Sequence, residues 1–362
     1  MGKNIVILAN NSGGLHDFRG MLLTELLRQG NTVTALTPFD AKVDELRALG
    51  VELIETPLNR RGLNPLEDWK LLCLYKKTLK KLRPDLVMTY TIKPNVYGGF
   101  ACQRLKIPYA ANITGLGTTF QKEGILKKVI VAMYRVGLKY AKTVFFENCE
   151  NRQVMLDSGI VRREQTCLLN GAGVDLEHFQ AVEYPADGPV RFLFIGRVMK
   201  EKGIDELFEA MLMLQKDGIK CSLDVLGGFD EDYSDKIKRF EEDGWLRYHG
   251  YQNDVRPFIA NCHCFVLPSW HEGMANTNLE CAAMGRPVIT SNIHGCMEAV
   301  EDGVSGYLCQ KQNADSLYES MKRFCGLTME ERTAMGLVGR KRMEELFNKK
   351  KVVERTISEL GL

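Results

Sequence analysis

Two glutamates, Glu272 and Glu280, stand eight residues apart in the run E-G-M-A-N-T-N-L-E. An ionised carboxylate accepts several hydrogen bonds, so acids placed at the mouth of a site grip vicinal hydroxyls on a ribose or a hexose. Between them, about Ala275 to Asn278 reads as the start of a short helix, whose unpaired N–H groups suit a phosphate. The plainer reading has Glu280 complementing the helix dipole and Glu272 in water. Upstream, G-R-V-M-K-E-K-G (Gly196 to Gly203) sets Arg197 and Lys202 around a turn that follows an apolar run. Two cations there suit a pyrophosphate whose charge grows as a leaving group departs. Near the start, Gly13 and Gly14 follow the first strand and let backbone approach a ligand. No G-x-G-x-x-G accompanies them, which leaves a dinucleotide cofactor poorly supported. Asp230-Glu231-Asp232 reads as a solvated run, and Cys262-His263-Cys264 lacks a second ligand pair at zinc spacing, so no metal is expected.

The Glu272–Glu280 run resembles the E-x7-E motif of retaining GT-B glycosyltransferases of family 4. The resemblance extends from Ile5 to about Leu346. Gly196–Gly203 matches that family's G-R-x4-K-G pair, and Leu168 to Phe179 resembles its N-G-V-D-x-x-x-F segment leaving the first domain, with an extra Ala-Gly. His294 to Glu298 and Asp302 to Tyr307 resemble its P-E-x-x-x-D-G-x-x-G-x-L ending, with Cys296-Met297 where proline is frequent. The resemblance implies an α/β GT-B fold, two Rossmann-like parallel-sheet domains facing across a cleft. It implies transfer of a hexose or N-acetylhexosamine from a UDP-sugar with retained configuration and without a metal or other cofactor. In that scheme Arg197 and Lys202 hold the diphosphate, Glu280 the ribose diol and Glu272 the sugar hydroxyls. Backbone at Gly273, Met274, Ala275 and Asn276 orients sugar and phosphate, Gly13 and Gly14 lie against both, and Gly196, Gly227 and Tyr251 complete the donor side.

Lys93-Pro94-Asn95 and Gly115-Leu116-Gly117 resemble the K-x-N and G-L-G loops of bacterial transferases that extend polyprenyl-diphosphate-linked glycans. The acceptor side is then Lys93, Asn95, Thr114 and Gly115. Lys93 either holds an acceptor phosphate or is a solvated loop lysine. Many relatives place a histidine after the fifth strand, where this chain has Asn112 and Thr114. The titratable groups left near the reacting sugar are His16 and Asp17, one of which would orient or deprotonate the acceptor; Asp17 reads equally as a helix N-terminal acid. A UDP-sugar 2-epimerase of the same fold and a non-catalytic nucleotide-sugar binder are the rival readings.

These side chains need a scaffold of alternating elements. Strands are expected at Ile5–Ala9, Thr32–Leu36, Val51–Ile54, Leu86–Thr89 and Tyr109–Asn112. Helices are expected over Met21–Gln29, Ala41–Leu49, Leu66–Leu82, Asn95–Leu105 and Gly124–Lys142, with Asn10 to Gly20 as a loop. The βαβα rhythm means parallel, doubly wound sheets. In the second half, strands are expected from Val190, at Cys221–Leu226, Leu246–Gly250, Cys264–Leu267 and Val288–Thr290, with helices at Ile204–Gln215 and Thr277–Met284. Turn-rich Glu183–Pro189 reads as a linker between domains 1–184 and 185–345, with a helix over about 346–362 returning to the first.

At 362 residues the chain is long enough for two cores, and 45% apolar with 26% charged residues is an ordinary folded balance. Residues 1 to 180 hold 25 basic against 17 acidic side chains and the remainder 23 against 29, which fits domains with different partners. Eleven cysteines, spread through apparent strands and helices, read as reduced thiols. The start lacks a long apolar h-region, and no apolar run approaches the roughly 20 residues that cross a bilayer. The basic amphipathic stretches 66–82 and 124–142 fit contact with an anionic membrane surface. The expectation is a cytoplasmic protein resting on the inner face of the cytoplasmic membrane, near its lipid-linked glycan acceptor. Nucleic acid is not expected, because no aromatic and basic stacking platform recurs.

Overall fold

The structure is a computed structural model that describes every residue except Met1, 60–63, 118–119 and 121–123. Thr118 and Thr119 of the loop after the fifth strand therefore lie outside the described residues. The chain divides into two units, Met1–Ala172 with Lys350–Leu362, and Gly173–Lys349.

The first unit carries seven parallel strands: β1 (Asn4–Leu8), β2 (Thr32–Thr37), β3 (Glu52–Glu55), β4 (Leu86–Tyr90), β5 (Tyr109–Ile113), β6 (Thr143–Phe146) and β7 (Thr166–Leu168). Their order is β3-β2-β1-β4-β5-β6-β7, so the chain reverses direction across the sheet beside β1. Its helices are α1 (Ser12–Arg28), α2 (Val43–Ala48), α3 (Pro65–Leu82), α4 (Gly99–Leu105), α5 (Ile125–Leu138) and α6 (Cys149–Asp157). Side chains alternate between the two sheet faces, which is why the strands read as continuous apolar runs. Ile5, Ile7, Val33, Ala35 and Met88 join α1 and α2 in one core layer. Val6, Leu8, Val87, Ala111 and Val144 join α3, α4 and α5 in the other.

The second unit holds β8 (Val190–Ile195), α7 (Ile204–Lys216), β9 (Cys221–Leu226), α8 (Ser234–Glu242), β10 (Leu246–Gly250), α9 (Arg256–Asn261), β11 (Cys264–Leu267), α10 (Asn276–Ala283), β12 (Val288–Ser291), β13 (Gly306–Cys309), α11 (Ala314–Cys325) and α12 (Met329–Leu346). Its six parallel strands are ordered β10-β9-β8-β11-β12-β13 around one core. The helix expected over about 346–362 is interrupted at Phe347 and Asn348, where Asn348 bridges Val174. A separate α13 (Lys349–Leu360) follows. Its Val352, Val353, Ile357 and Leu360 are buried in the first unit's core beside α1, and Lys142 Nζ donates to Leu360 O at 2.6 Å.

The segment after Ala172 is fastened to the second unit. Arg286, with no exposed surface, donates from Nε to Ile259 O at 2.9 Å and from Nη2 to Glu183 O at 2.7 Å and Ala260 O at 2.9 Å. Its Nη1 adds longer bonds of 3.4 Å to Val182 O, Met284 O and Gly285 O. Tyr184 OH donates to His263 O at 2.6 Å.

His263 is 1% exposed; its Nδ1 accepts the Arg191 N–H at 3.0 Å, and its Nε2 lies 3.2 Å from Ala186 O. Its imidazole thus serves the backbone of its own unit, and burial pushes its pKa down to about 4. The unfolded chain takes up that proton near pH 6.5, the native state only near 4. Stability from the neutral ring is complete above about pH 6.5 and is lost as pH falls towards 4, by about 3 kcal/mol in all. Urea unfolding at pH 7 and pH 4.5 should show wild type losing about 2 to 3 kcal/mol more than His263→Asn between the two. Equal losses would mean that the folded ring takes up its proton as readily as the unfolded one.

Candidate active site

In the second unit the expected donor residues gather at the carboxyl ends of four adjacent strands. Gly196 and Arg197 follow β8, Gly227 follows β9, Tyr251 follows β10, and Glu272 lies in the loop after β11. Two glycines make this gathering possible. Gly227 has φ +134°, and a Cβ there would stand 1.9 Å from Gly196 O. Gly203 has φ +73°, and its Cβ would stand 2.1 Å from Pro268 O, so only glycine lets the turn carrying Lys202 lie against the loop carrying Glu272.

That approach joins the two. Lys202 Nζ contacts Glu272 Oε1, the same oxygen that accepts from Ser269 Oγ at 2.7 Å. The side chains are 20% and 12% exposed, so the pair is partly desolvated yet reachable. Trp270 N donates to Glu201 O at 2.9 Å and its indole to Glu206 at 3.0 Å, which fixes the loop against the turn. Arg197 Nη1 lies 2.8 Å from Asp230 Oδ2, and Glu231 accepts the Lys200 N–H at 2.8 Å. Asp230-Glu231-Asp232 is therefore no merely solvated run: its first two acids hold the basic turn. Ser269 and Tyr248, whose hydroxyl donates to Gly227 O at 2.8 Å, were not among the residues the sequence singled out, and Asp230 was given no role at the site. The one signal for Asp230 was its place beside the Gly227-Gly228 turn.

Helix α10 begins at Asn276 without a side-chain cap. Its start is held from behind: Ala275 N donates to Gly295 O at 2.7 Å, and Glu298 accepts Gly295 N at 2.7 Å and meets His294 Nδ1 at 2.8 Å. The buried Oδ1 of Asn276 finds no hydrogen-bond partner among the described residues. Met274 and Ala275 are buried, while Glu272, Gly273 and Glu280 are half-buried. An open helix N-terminus beside a lysine and a carboxylate is equipped for a phosphate and a polyol together.

The first unit corrects one expectation. The stretch read as a glycine loop is the beginning of α1, because Asn11 caps the helix by accepting Gly14 N. Glycines in a first turn cost little when the cap supplies the missing partner. Gly13, Gly14, His16 and Asp17 thus sit on a rigid helix start. His16 Nδ1 meets Asp17 Oδ1 at 3.0 Å, and Lys42 Nζ meets the same oxygen at 2.5 Å. One turn on, buried Arg19 pairs with Glu147 at 2.5 Å and lies 5.0 Å from the Tyr90 ring centre. Burial raises the Glu147 pKa, and the Arg19 charge opposes the rise.

Beyond β4, Thr91 holds φ +72°, an unusual state for a β-branched residue, and its buried hydroxyl has no partner among the described residues. Lys93 follows, but it is not solvated: its Nζ lies 2.9 Å from Asp68 Oδ1. Asn95 is fully buried, accepting from Thr89 Oγ1 at 2.6 Å and donating to Asn112 O at 2.9 Å. Both ends of its amide pin β4 to β5, so Asn95 positions the loop from inside rather than meeting an acceptor. Thr114 and Gly115 are half-buried just past β5.

Helix α5 is apolar on the side facing solvent. Ile125, Val129, Val136 and, two residues past the helix end, Tyr140 are 83%, 43%, 49% and 65% exposed, and Ala132 completes their stripe. Exposed Lys128, Arg135 and Lys139 run along one edge of it. On α3, Leu66 and Trp69 are 68% and 64% exposed. Among the described residues no helix is long and apolar enough to cross a membrane.

Comparison with known proteins fits this geometry. Residues 5–148 match the family "Glycosyl transferase 4-like", and residues 189–326 match "Glycosyl transferases group 1". The chain is 28% identical over 334 residues to the N,N'-diacetylbacillosaminyl-diphospho-undecaprenol alpha-1,3-N-acetylgalactosaminyltransferase of Campylobacter jejuni, covering 88% of each. It is 26% identical to the UDP-Gal:alpha-D-GlcNAc-diphosphoundecaprenol alpha-1,3-galactosyltransferase of Escherichia coli, covering 77% of this chain and 75% of that one. Anabaena Alr3699/HepE in complex with UDP and glucose superposes with a TM-score of 0.80 at 17% identity over 99% of both chains.

Proposed function

We propose that this chain, a glycosyltransferase of the GT-B fold, transfers a hexose or N-acetylhexosamine from a UDP-sugar to a sugar carried on polyprenyl diphosphate, with retention of configuration. The observation that carries the reading is the contact of Lys202 with Glu272 beside the uncapped start of α10. The two cations of the G-R-x4-K-G pattern are each matched by a carboxylate, Arg197 by Asp230 and Lys202 by Glu272. A diphosphate exchanges those partners: it takes the two cations and the helix N–H groups, and Glu272 turns to the sugar hydroxyls. Glu280 takes the ribose diol. As the sugar–phosphate bond breaks, charge builds on the oxygen that Arg197 and Lys202 face, and the departing phosphate receives the acceptor's proton on the same side.

The acceptor class is supported by two relatives named for acting on acetamido sugars bound to diphospho-undecaprenol. The solvent-facing apolar stripe of α5, edged with cations, supports peripheral contact with anionic lipid, where such acceptors reside. UDP release is the test, with a panel of UDP-sugars offered with and without a synthetic acetamido sugar on polyprenyl diphosphate. Release from one donor that depends on the acceptor, with an axial or equatorial linkage matching the donor, is expected. Appearance of a 2-epimer, or UDP-sugar binding without turnover, would sink the proposal.

A further inference from the structure

A pocket of about 520 Å³ opens in the first unit between the end of β3, the first turns of α3 and the segment after β4. Leu58, Leu71 and Leu74 give it apolar walls, while Asp68, Lys93, Glu67 and Lys70 supply its polar lining. Its size falls in the range of small-molecule sites, about 300 to 1,000 Å³. Asp68 and Lys93 have side chains only 7% and 11% exposed and face each other at 2.9 Å. Tyr97 also bonds to Asp68; burial and that bond push its phenol well above the usual range.

The lining is discriminating. Among the described lining residues two carboxylates stand against two ammonium groups, and Lys93 is already paired with Asp68, so a diphosphate there meets Glu67 and Asp68 as like charges. An isoprenoid tail would cover an ion pair without returning its hydrogen bonds. A sugar ring satisfies both parts of the lining, because its hydroxyls bond to Asp68 and Lys93 while its C–H face lies on the leucines. An acetamido group extends the match, with an N–H for the carboxylate and a methyl for the apolar wall. We infer that this pocket holds the acceptor's first sugar, an acetamido hexose. Lys93 is thereby assigned to sugar recognition instead of to the acceptor phosphate. The inference rests on the acceptor class proposed above.

Saturation-transfer NMR tests it without turnover, using methyl α-N-acetylglucosaminide as the probe. The acetamido methyl should be saturated by the wild-type protein and more strongly than any signal of methyl α-glucoside. Leu74→Trp, which fills the pocket, should weaken probe binding about tenfold with the thermal transition preserved. Geranyl diphosphate, which has the diphosphate and prenyl groups but no sugar, should not displace the probe from wild type. This competition needs no variant to fold. Absence of probe saturation, unchanged binding in a folded Leu74→Trp, or displacement by geranyl diphosphate would each overturn the inference. A protein that binds the probe here yet releases no UDP from any donor would instead sink the proposed reaction and leave the pocket standing.

Discussion

Lys202→Ala should slow sugar transfer by about 10² or more at saturating donor and acceptor, and Glu272→Ala should do likewise. Removing one preorganised charge from a partly dry site costs roughly 3 kcal/mol in the transition state. Each side chain here is at most one-fifth exposed and touches the other, so neither is a freely solvated charge. In the proposed reaction Lys202→Ala removes a cation facing the departing phosphate, and Glu272→Ala removes the acceptor of the sugar's hydroxyl bonds. Because the two are in contact, their losses should not add. The double variant should be faster than the product of the single effects predicts, by a coupling of about 0.5 to 3 kcal/mol. Initial rates of UDP release for the four proteins measure all of this. Rates within threefold of wild type for both single variants would remove this turn from the reaction.

Arg286→Met should lower the stability of the second unit by about 3 to 5 kcal/mol, the cost of stripping a buried charged group from its partners. Methionine approximates the stem's volume, so the loss isolates the guanidinium. Six carbonyl oxygens accept from it, and no surface of the side chain is open for water to take its place. Lysine, with three donors on a point-like head, should recover only part of the loss. For a unit of this size the thermal midpoint should fall by roughly 10 °C. A fall of under about 2 °C would mean that those carbonyls find water once the guanidinium is gone.

Five of the second unit's six strands were legible almost to the residue, while β13 was read only as part of a motif. Cys221–Leu226, Leu246–Gly250 and Cys264–Leu267 are short runs bounded by polar or glycine-rich turns, and a parallel strand covered on both faces leaves that signature. Glycine misled at the start, because Gly13-Gly14 reads as a loop until Asn11 is seen to cap the helix over them. The β6, α6 and β7 elements left no mark, since Thr143–Phe146 follows α5 almost directly and β7 has three residues. Spacing singled out the charged residues that the fold brings together after β8 and β11, but not their partners. Lys93 and Asp68 lie 25 positions apart, and Arg197 and Asp230 lie 33 apart, so only folding reveals that both cations are already matched. That is why the sequence left Lys93 open between a phosphate ligand and a solvated lysine: a local motif shows a charge and hides what neutralises it.

The return of α13 to the first unit sets an order of assembly. Residues 173–349 form an uninterrupted unit and can close as soon as they have been made. Residues 1–172, made earlier, hold one core layer under α1 and α2 that is completed only when Val352 to Leu360 arrive. At about 5 to 20 residues per second that interval is roughly ten to forty seconds on the ribosome. The half of the chain synthesised first is thus the half completed last, and during that wait the apolar surface that α13 will cover is open to chaperones and to misassembly.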